Sequence, residues 1–338
     1  MSAATPTQSE ILKFLRENSG DFVSGATLAD KLGISRTGIW KHIRRLQHMG
    51  YEIMSHPKEG YKLVEVPDSL GQNEIVPYLE TAWLAKTYHY LNTTTSTNDH
   101  ALLLAVQGAP NGTVVVAGEQ TKGRGRLRRD WLSMPNRGIY ASILLRNPLP
   151  VRVAPQSTYL AAVALVKVLR SKFGLPASIK WPNDVLIGNR KVAGILTEMQ
   201  SDQDYSRFVV IGIGINVNYT PDEMGQSFRY PATSIAIELG NTVKRQHVLV
   251  AILNQFERDY EDFLEKGIAA VIPQLETYSG ILGKSITVLS GEREISGKAE
   301  GFTPEGALLL LRSDGEREIV WVGDVARVEW TTGIQSPD

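Results

Sequence analysis

The sequence predicts an α+β chain in three parts: a small helical head with a β-hairpin, a central domain that mixes strands with helices, and a short all-β tail. Three observations predict it. Apolar residues recur at helical spacing from Ser9 to Met49. Between Thr87 and Leu264 strands and helices follow one another without strict alternation, which favours α+β over a wound parallel sheet. Short β segments punctuated by Gly291, Gly297, Gly306, Gly315 and Gly323 close the chain. At 338 residues the chain exceeds the usual size of one hydrophobic core and has room for a ligand pocket. The expected divisions are 1–66 for the head, 67–86 for a connection, 87–280 for the central domain and 281–332 for the tail.

In the head, Ile11, Leu12, Phe14 and Leu15 give a first helix an apolar side. A second helix runs from Ala26 to Leu32, Gly33 breaks it, and Ser35 is placed to cap a third that ends near Met49. In that third helix Ile39, Ile43 and Leu46 share one face. Thr37, Lys41, Arg44 and His48 therefore share the other. Tyr51 to Met54 and Tyr61 to Val64 alternate like strands around the turn His56 to Gly60, which makes the head a winged helix-turn-helix. Arg36, Lys41, Arg44 and Arg45 lie on a helix without one acidic residue, a pattern suited to a duplex backbone. The candidate DNA-binding residues are Arg36, Thr37, Trp40, Lys41, Arg44, Arg45 and His48. The competing reading is a dimerisation or protein-binding module whose charges are simply solvated.

Pro67, Gly71 and Pro77 interrupt the pattern up to Lys86, where the connection is placed. In the central domain Thr113–Ala117, Gly138–Leu145, Asp184–Ile187, Val192–Glu198 and Phe208–Asn216 read as strands. Ala154–Phe173 and Val248–Leu264 carry apolar residues at helical spacing. Four or five short β segments from Gly283 to Trp330 suit a small barrel.

Composition narrows the chemistry. Lys plus Arg and Asp plus Glu number 36 each, so no global field attracts nucleic acid or an acidic membrane, and any DNA contact needs a local patch. The chain has no cysteine, which excludes disulfides, thiolate nucleophiles and Cys-ligated zinc, and a reducing cytoplasm is the simplest expectation. Met1 to Glu10 is polar and no apolar run is long enough to span a bilayer, so neither signal peptide nor membrane partner is expected.

The segment Glu119 to Trp131 carries the most chemical information. Directly after a strand, Gly123 and Gly125 interleave with Lys122, Arg124, Arg126, Arg128 and Arg129. Glycine permits close backbone approach, and guanidinium forks match carboxylate and phosphate. The spacing fits neither a Walker loop nor a dinucleotide-binding turn. Taken alone, such a stretch also reads as a charged surface or RNA-binding loop.

Other motifs follow in a fixed order: Thr95-Ser96-Thr97-Asn98 before it, then Lys180-Trp181-Pro182-Asn183-Asp184, Lys191-Val192-Ala193-Gly194-Ile195-Leu196 and Gly212-Ile213-Gly214-Ile215-Asn216-Val217. Together with the glycine-arginine loop they resemble the signature of biotin protein ligases across nearly the whole chain. The winged helix ahead of them and the β tail behind resemble the bifunctional ligase and repressor form, whose tail is an SH3-like barrel. The resemblance implies a central mixed-sheet ligase domain and two substrates, ATP and biotin, with Mg²⁺. It also implies a biotin carboxyl carrier protein as acceptor, operator DNA as a second partner, and a homodimer promoted by biotinyl-5′-AMP.

Biotin's carboxylate would attack the α-phosphate of ATP, and a carrier lysine would then displace AMP. Two like charges ~4 Å apart repel by roughly 4 kcal/mol at an effective dielectric near 20, so cations must stand between them. Arg124, Arg126 and Lys191 are the candidates, with Lys191 between carboxylate and phosphate. By resemblance, Ser96, Thr97, Asn98 and Gln120 meet the ureido ring, with Gly123, Arg124, Gly125, Arg126 and Lys191 nearby and Gly194 leaving room. Arg126, Trp131, Lys180, Asn183, Asp184, Gly212, Gly214 and Asn216 form the candidate ATP and adenylate set, and Phe228 and Tyr230 fall in a loop suited to adenine.

Metal ligands stay unassigned, because one carboxylate such as Asp184 specifies no shell. Each element also has a plainer reading: a solvent-facing lysine at Lys191, a helix cap at Thr93–Asn98, a core tryptophan at Trp131, and tight strand packing at Gly212 and Gly214. The family loop usually has a further glycine where this chain has Arg128, which puts loop closure over the adenylate in doubt. A lipoate-type acyl ligase and a non-catalytic ligand-sensing transcription factor are the alternatives.

Overall fold

The structure, a computed structural model, describes residues 4–224 and 231–330; Phe228 and Tyr230 lie outside the described residues. The chain divides into two compact units, Met1–Tyr78 and Leu79–Asp338.

The first unit is built from α1 (Pro6–Glu17), α2 (Gly25–Leu32) and α3 (Arg36–His48), followed by the hairpin β1 (Glu52–His56) and β2 (Gly60–Glu65). Local chemistry sets each boundary. Thr5 and Gln8 form a reciprocal capping box at the start of α1. Gly33, at φ +65°, closes α2 in the left-handed conformation that glycine adopts without steric cost. The Ser35 hydroxyl accepts the Gly38 amide at 3.1 Å and caps α3. Ile11, Leu12, Leu15, Leu28, Ile39, Ile43 and Leu46 meet in one core with Tyr51 and Ile53.

The stretch expected to be a connection is folded over part of its length. The short helix α4 (Gln72–Ile75) lies within it, and Leu70, Glu74 and Ile75 are buried. Tyr51 donates its hydroxyl hydrogen bond to Glu74, and Arg16 Nη2 donates to the Asn73 carbonyl at 2.5 Å. The break between the units falls at Tyr78.

The second unit is organised on a seven-stranded mixed sheet. Its strands are β3 (Tyr88–Thr94), β4 (Thr113–Gln120), β5 (Gly138–Leu145), β6 (Ala177–Lys180), β7 (Asp184–Ile187), β8 (Arg190–Ser201) and β9 (Ser206–Asn216), in the order β3-β4-β5-β9-β8-β7-β6. Only β3 and β4 run parallel; the other pairs are antiparallel. Helix α5 (Thr97–Val106) buries Ala101 and Ala105 against Val115, Leu144 and Val210. Helix α6 (Ser157–Phe173) is buried along most of its length, after a 3₁₀ turn at Ala154–Gln156 where the helix was expected to begin. Two short helices, α7 (Pro221–Met224) and α8 (Ile235–Leu239), lead to α9 (Arg245–Lys266), which packs on α6.

After α10 (Ile272–Tyr278) comes a five-stranded antiparallel sheet of β10 (Ser285–Ser290), β11 (Arg293–Phe302), β12 (Leu308–Leu311), β13 (Arg317–Val320) and β14 (Asp324–Val328). Its order is β13-β12-β11-β10-β14. Among the described residues no helix is long and apolar enough to cross a membrane.

Candidate active site and candidate nucleic-acid interface

A cleft opens where β4 hands over to the loop 121–131, beside the start of α5 and above the glycines of β8 and β9. It spans about 1210 Å³ counting the open space at its mouth. Ser96, Thr97, Asn98, Gln120, Arg124, Gly125, Arg126, Trp131, Asn183, Asp184, Lys191, Gly194, Gly212, Gly214 and Asn216 all line it. Gly123 and Lys180 do not. Gly123 instead closes the loop, its carbonyl accepting the Trp131 amide at 2.9 Å, while Lys180 is buried.

One end of the cleft is polar and already hydrogen-bonded. Gln120 Oε1 accepts the Thr97 amide at 2.8 Å at the first turn of α5, and Gln120 Nε2 donates to Ser133 at 2.9 Å. Asn98 Nδ2 donates to the Leu196 carbonyl at 3.1 Å and to Glu198 at 2.6 Å, while its Oδ1 accepts from Ser142 at 2.6 Å. The motif at Thr95 is thus a helix start and a cleft wall together. With its carbonyl and both amide hydrogens engaged inside the protein, Asn98 serves chiefly to orient the wall around it.

Arg124 sits at this polar end between two carboxylates, Asp99 at 2.5 Å and Glu198 at 3.1 Å. The hydrogen bond to Asp99, then those of Glu198 and both negative charges, hold its guanidinium protonated against the cost of partial burial. This pairing separates Arg124 from Arg126, with which the loop pattern grouped it.

The other end is cationic. Arg126 donates to the Gly323 carbonyl at 2.9 Å and lies 3.5 Å from Asn183 Oδ1. Among the described residues it has no carboxylate at ion-pair distance. Burial pulls its pKa down, and the negative fields of Asp324 and Asp184 oppose that shift. Lys191 Nζ meets Asp184 at 2.5 Å and lies 5.2 Å from the centre of the Trp131 ring. Arg129 pairs with Asp324 at 2.6 Å. Burial alone would push Asp324 up, but the Arg129 hydrogen bond and neighbouring cations hold it below the usual carboxylate range.

Trp131 explains two of the glycines. A Cβ on Gly214 would fall 2.5 Å from the indole, and one on Gly194 would fall 3.0 Å from it. The close approach expected from a ligand is made here by the protein's own tryptophan; at Gly212 it is made by Asn98. The Trp131 Nε1 hydrogen is buried without a partner. Asn216 donates to the Thr233 carbonyl at 3.1 Å and stays at the cleft wall.

Several cleft residues carried no sequence signal. Tyr140 and Asp324 reach it from distant positions, Asp324 from β14. Ser142, buried on β5, holds Thr97 and Asn98 from behind. Glu198 shares a β8 face with Gly194 and Leu196 by strand alternation, and Asp99 directly follows the polar motif, so these two were within reach of pattern reading.

On the first unit, Arg36, Thr37, Trp40, Lys41, Arg44, Arg45 and His48 are all exposed on α3, opposite the buried Ile39, Ile43 and Leu46. The Arg44 guanidinium lies 5.6 Å from the Trp40 ring. This is a candidate nucleic-acid interface.

Known proteins match all three parts of the chain. The model of the biotin/lipoate A/B protein ligase family matches residues 90–216, a helix-turn-helix model matches 7–62 and the biotin protein ligase C-terminal domain matches 281–328. The chain is 38% identical over 310 residues to the bifunctional ligase/repressor BirA of Bacillus subtilis, covering 92% of this chain and 95% of that one. It is 34% identical to the biotin–[acetyl-CoA-carboxylase] ligase of Paracoccus denitrificans over 69% of this chain and 97% of that one. Among solved structures, biotin protein ligase from Aquifex aeolicus in complex with biotin and ATP superposes with a TM-score of 0.62 at 31% identity, covering 71% of this chain and 97% of that one. With a helix-turn-helix ahead of the ligase motifs and a ligase C-terminal domain behind them, the chain belongs to the biotin protein ligases of the bifunctional ligase/repressor type.

Proposed function

We propose that the chain activates biotin with ATP as biotinyl-5′-AMP, transfers it to a lysine of a biotin carboxyl carrier protein, and represses biotin synthesis genes when loaded with the adenylate. The observation that carries the enzyme reading is the division of the cleft: a hydrogen-bonding end at Thr97, Asn98 and Gln120, and a cationic end at Arg126 and Lys191. The polar end suits biotin's neutral ureido ring, whose burial is costly unless its donors and acceptor are paired. The cationic end suits two anions.

In the first step a carboxylate oxygen of biotin attacks the α-phosphorus; a P–O bond forms and the bond to the β-phosphate breaks, releasing pyrophosphate. Lys191, held by Asp184, turns to the reacting oxygens, and Arg126 offsets the charge on the α-phosphate. Arg124 contributes hydrogen bonds at the polar end, its charge compensated. In the second step a neutral carrier lysine attacks the acyl carbon, an amide forms, AMP leaves and the amine gives up one proton.

Mg²⁺ characteristically keeps much of its water and binds substrate phosphates; Asp184 is the carboxylate that could reach it directly or through water, and its ligands stay unassigned. When bound, Mg²⁺ supplies neutralisation of phosphate charge. We read the five-stranded terminal sheet as a small SH3-like barrel whose Gly323 and Asp324 steady the arginine loop. We also read a homodimer promoted by the adenylate, presenting two copies of the α3 basic face to operator half-sites.

Incubating the protein with ATP, Mg²⁺, a carrier domain and either biotin or lipoate tests the reading. The carrier gains mass with biotin alone. A gain with lipoate alone identifies a lipoate ligase, and no gain with either leaves a ligand-sensing transcription factor.

A further inference from the structure

Asp99 and Glu198 flank Arg124 beside the cleft, with side chains 44% and 30% exposed. Neither lines the cleft, yet both clasp Arg124, and Glu198 also holds Asn98 at 2.6 Å. The polar end therefore carries one positive and two negative charges within a few ångströms. A guanidinium so compensated still offers hydrogen-bond donors but no longer attracts an anion. A ligand carboxylate placed beside it would face two carboxylates across a partly desolvated space, where like charges repel more strongly than in water. At the opposite end, Asp324 pairs with Arg129 and Asp184 with Lys191, while Arg126 has no carboxylate at ion-pair distance among the described residues.

We propose that Asp99 and Glu198 are specificity-determining residues which, through Arg124, make the polar end of the cleft accept a neutral hydrogen-bonding head and reject an anionic one. This inference rests on the biotin ligase reading and extends it to substrate choice. A monocarboxylic acid with a neutral far end enters in one direction, carboxylate toward Lys191. A dicarboxylic acid of similar length is excluded by repulsion, a form of specificity that contact with the correct substrate cannot supply.

The test replaces both carboxylates with their amide isosteres, Asp99→Asn and Glu198→Gln, which keep size and one acceptor oxygen each but leave Arg124 a bare cation. Biotin-driven ATP–pyrophosphate exchange is measured with azelaic acid, a straight-chain dicarboxylic acid, as competitor. Inhibition by azelaic acid strengthens about tenfold or more in the double variant, and adding Arg124→Gln returns it to the wild-type level. A role confined to bracing the loop predicts weaker biotin binding with no gain for the diacid; that result overturns the proposal, as does a gain that survives Arg124→Gln. Should the double variant lose exchange, thermal-shift titration with azelaic acid decides: stabilisation above that of wild type supports the proposal and its absence refutes it. Failure of the wild type itself to catalyse biotin-driven exchange is a separate outcome that refutes the ligase reading.

Discussion

Arg128 occupies the left-handed region at φ 56°, directly after Leu127 at φ 55°, in the loop that forms the cleft's rim. For a residue with a Cβ this conformation costs on the order of 1 kcal/mol, which gives a physical reason for a glycine at the position and a cost for the arginine found here. Arg128→Gly relieves the strain. Hydrogen exchange at the Gly125 and Trp131 amides, bonded within the loop to the Arg129 and Gly123 carbonyls, then slows by roughly two- to fivefold. Faster or unchanged exchange would mean that the arginine stabilises the loop by contacts that outweigh its backbone. Lys191 and Asp184 tell a complementary story: the ion pair holds the ammonium in a partly buried cleft, and in the proposed reaction substrate anions displace the carboxylate. The motif in which Lys191 lies was visible in the sequence. Its neutralising partner lies in another motif, and spacing does not reveal that β7 and β8 pair so that Asp184 lies opposite Gly194 and Leu186 opposite Lys191.

Legibility in the sequence follows the range of the interactions. Elements set by local chemistry, such as α3 with its Ser35 cap and the Gly33 stop before it, stand in the structure close to where spacing puts them. Strands β3 and β6 and the run into α5 carried weaker periodicity and acquire definition through pairing and packing. The glycines of β9 were legible as sites of close approach, but the identity of the approaching groups, Trp131 and Asn98, depends on how a distant loop and helix fold back. Helix α4 illustrates the same limit. Its buried Glu74 accepts from Tyr51, a contact across the first unit, and burial pushes its pKa up to about 7, with Arg16 opposing. Because the folded value lies above the usual 4.5, the protonated form is favoured on folding. The resulting stability is fully present below about pH 4.5 and is lost as pH rises through about 7, by up to about 3 kcal/mol. Hydrogen exchange at Leu46 to Tyr51 across that window reads it out. Glu74→Gln flattens the dependence; an unchanged slope would assign it to other groups.

For the whole molecule, zero formal net charge supplies no global field, so the proposed DNA affinity rests on the α3 patch. Binding therefore weakens with salt, and Lys41→Ala lowers the slope of log affinity against log salt by about one if the lysine meets a phosphate. An unchanged slope would place Lys41 off the backbone. In the proposed function one compound links enzyme and repressor: plentiful carrier would consume the adenylate, whereas scarce carrier would leave it bound and favour the DNA-binding form. Everything in that linkage requires the cleft to join two anions that repel each other. The most direct measurement is biotin-dependent exchange of labelled pyrophosphate into ATP, without carrier or DNA, for the wild type and Lys191→Ala. The account predicts exchange that needs biotin and falls by roughly 10²–10³ in the variant, the scale of losing one charge-stabilising donor. Exchange that proceeds without biotin, or undiminished without the lysine, would contradict it.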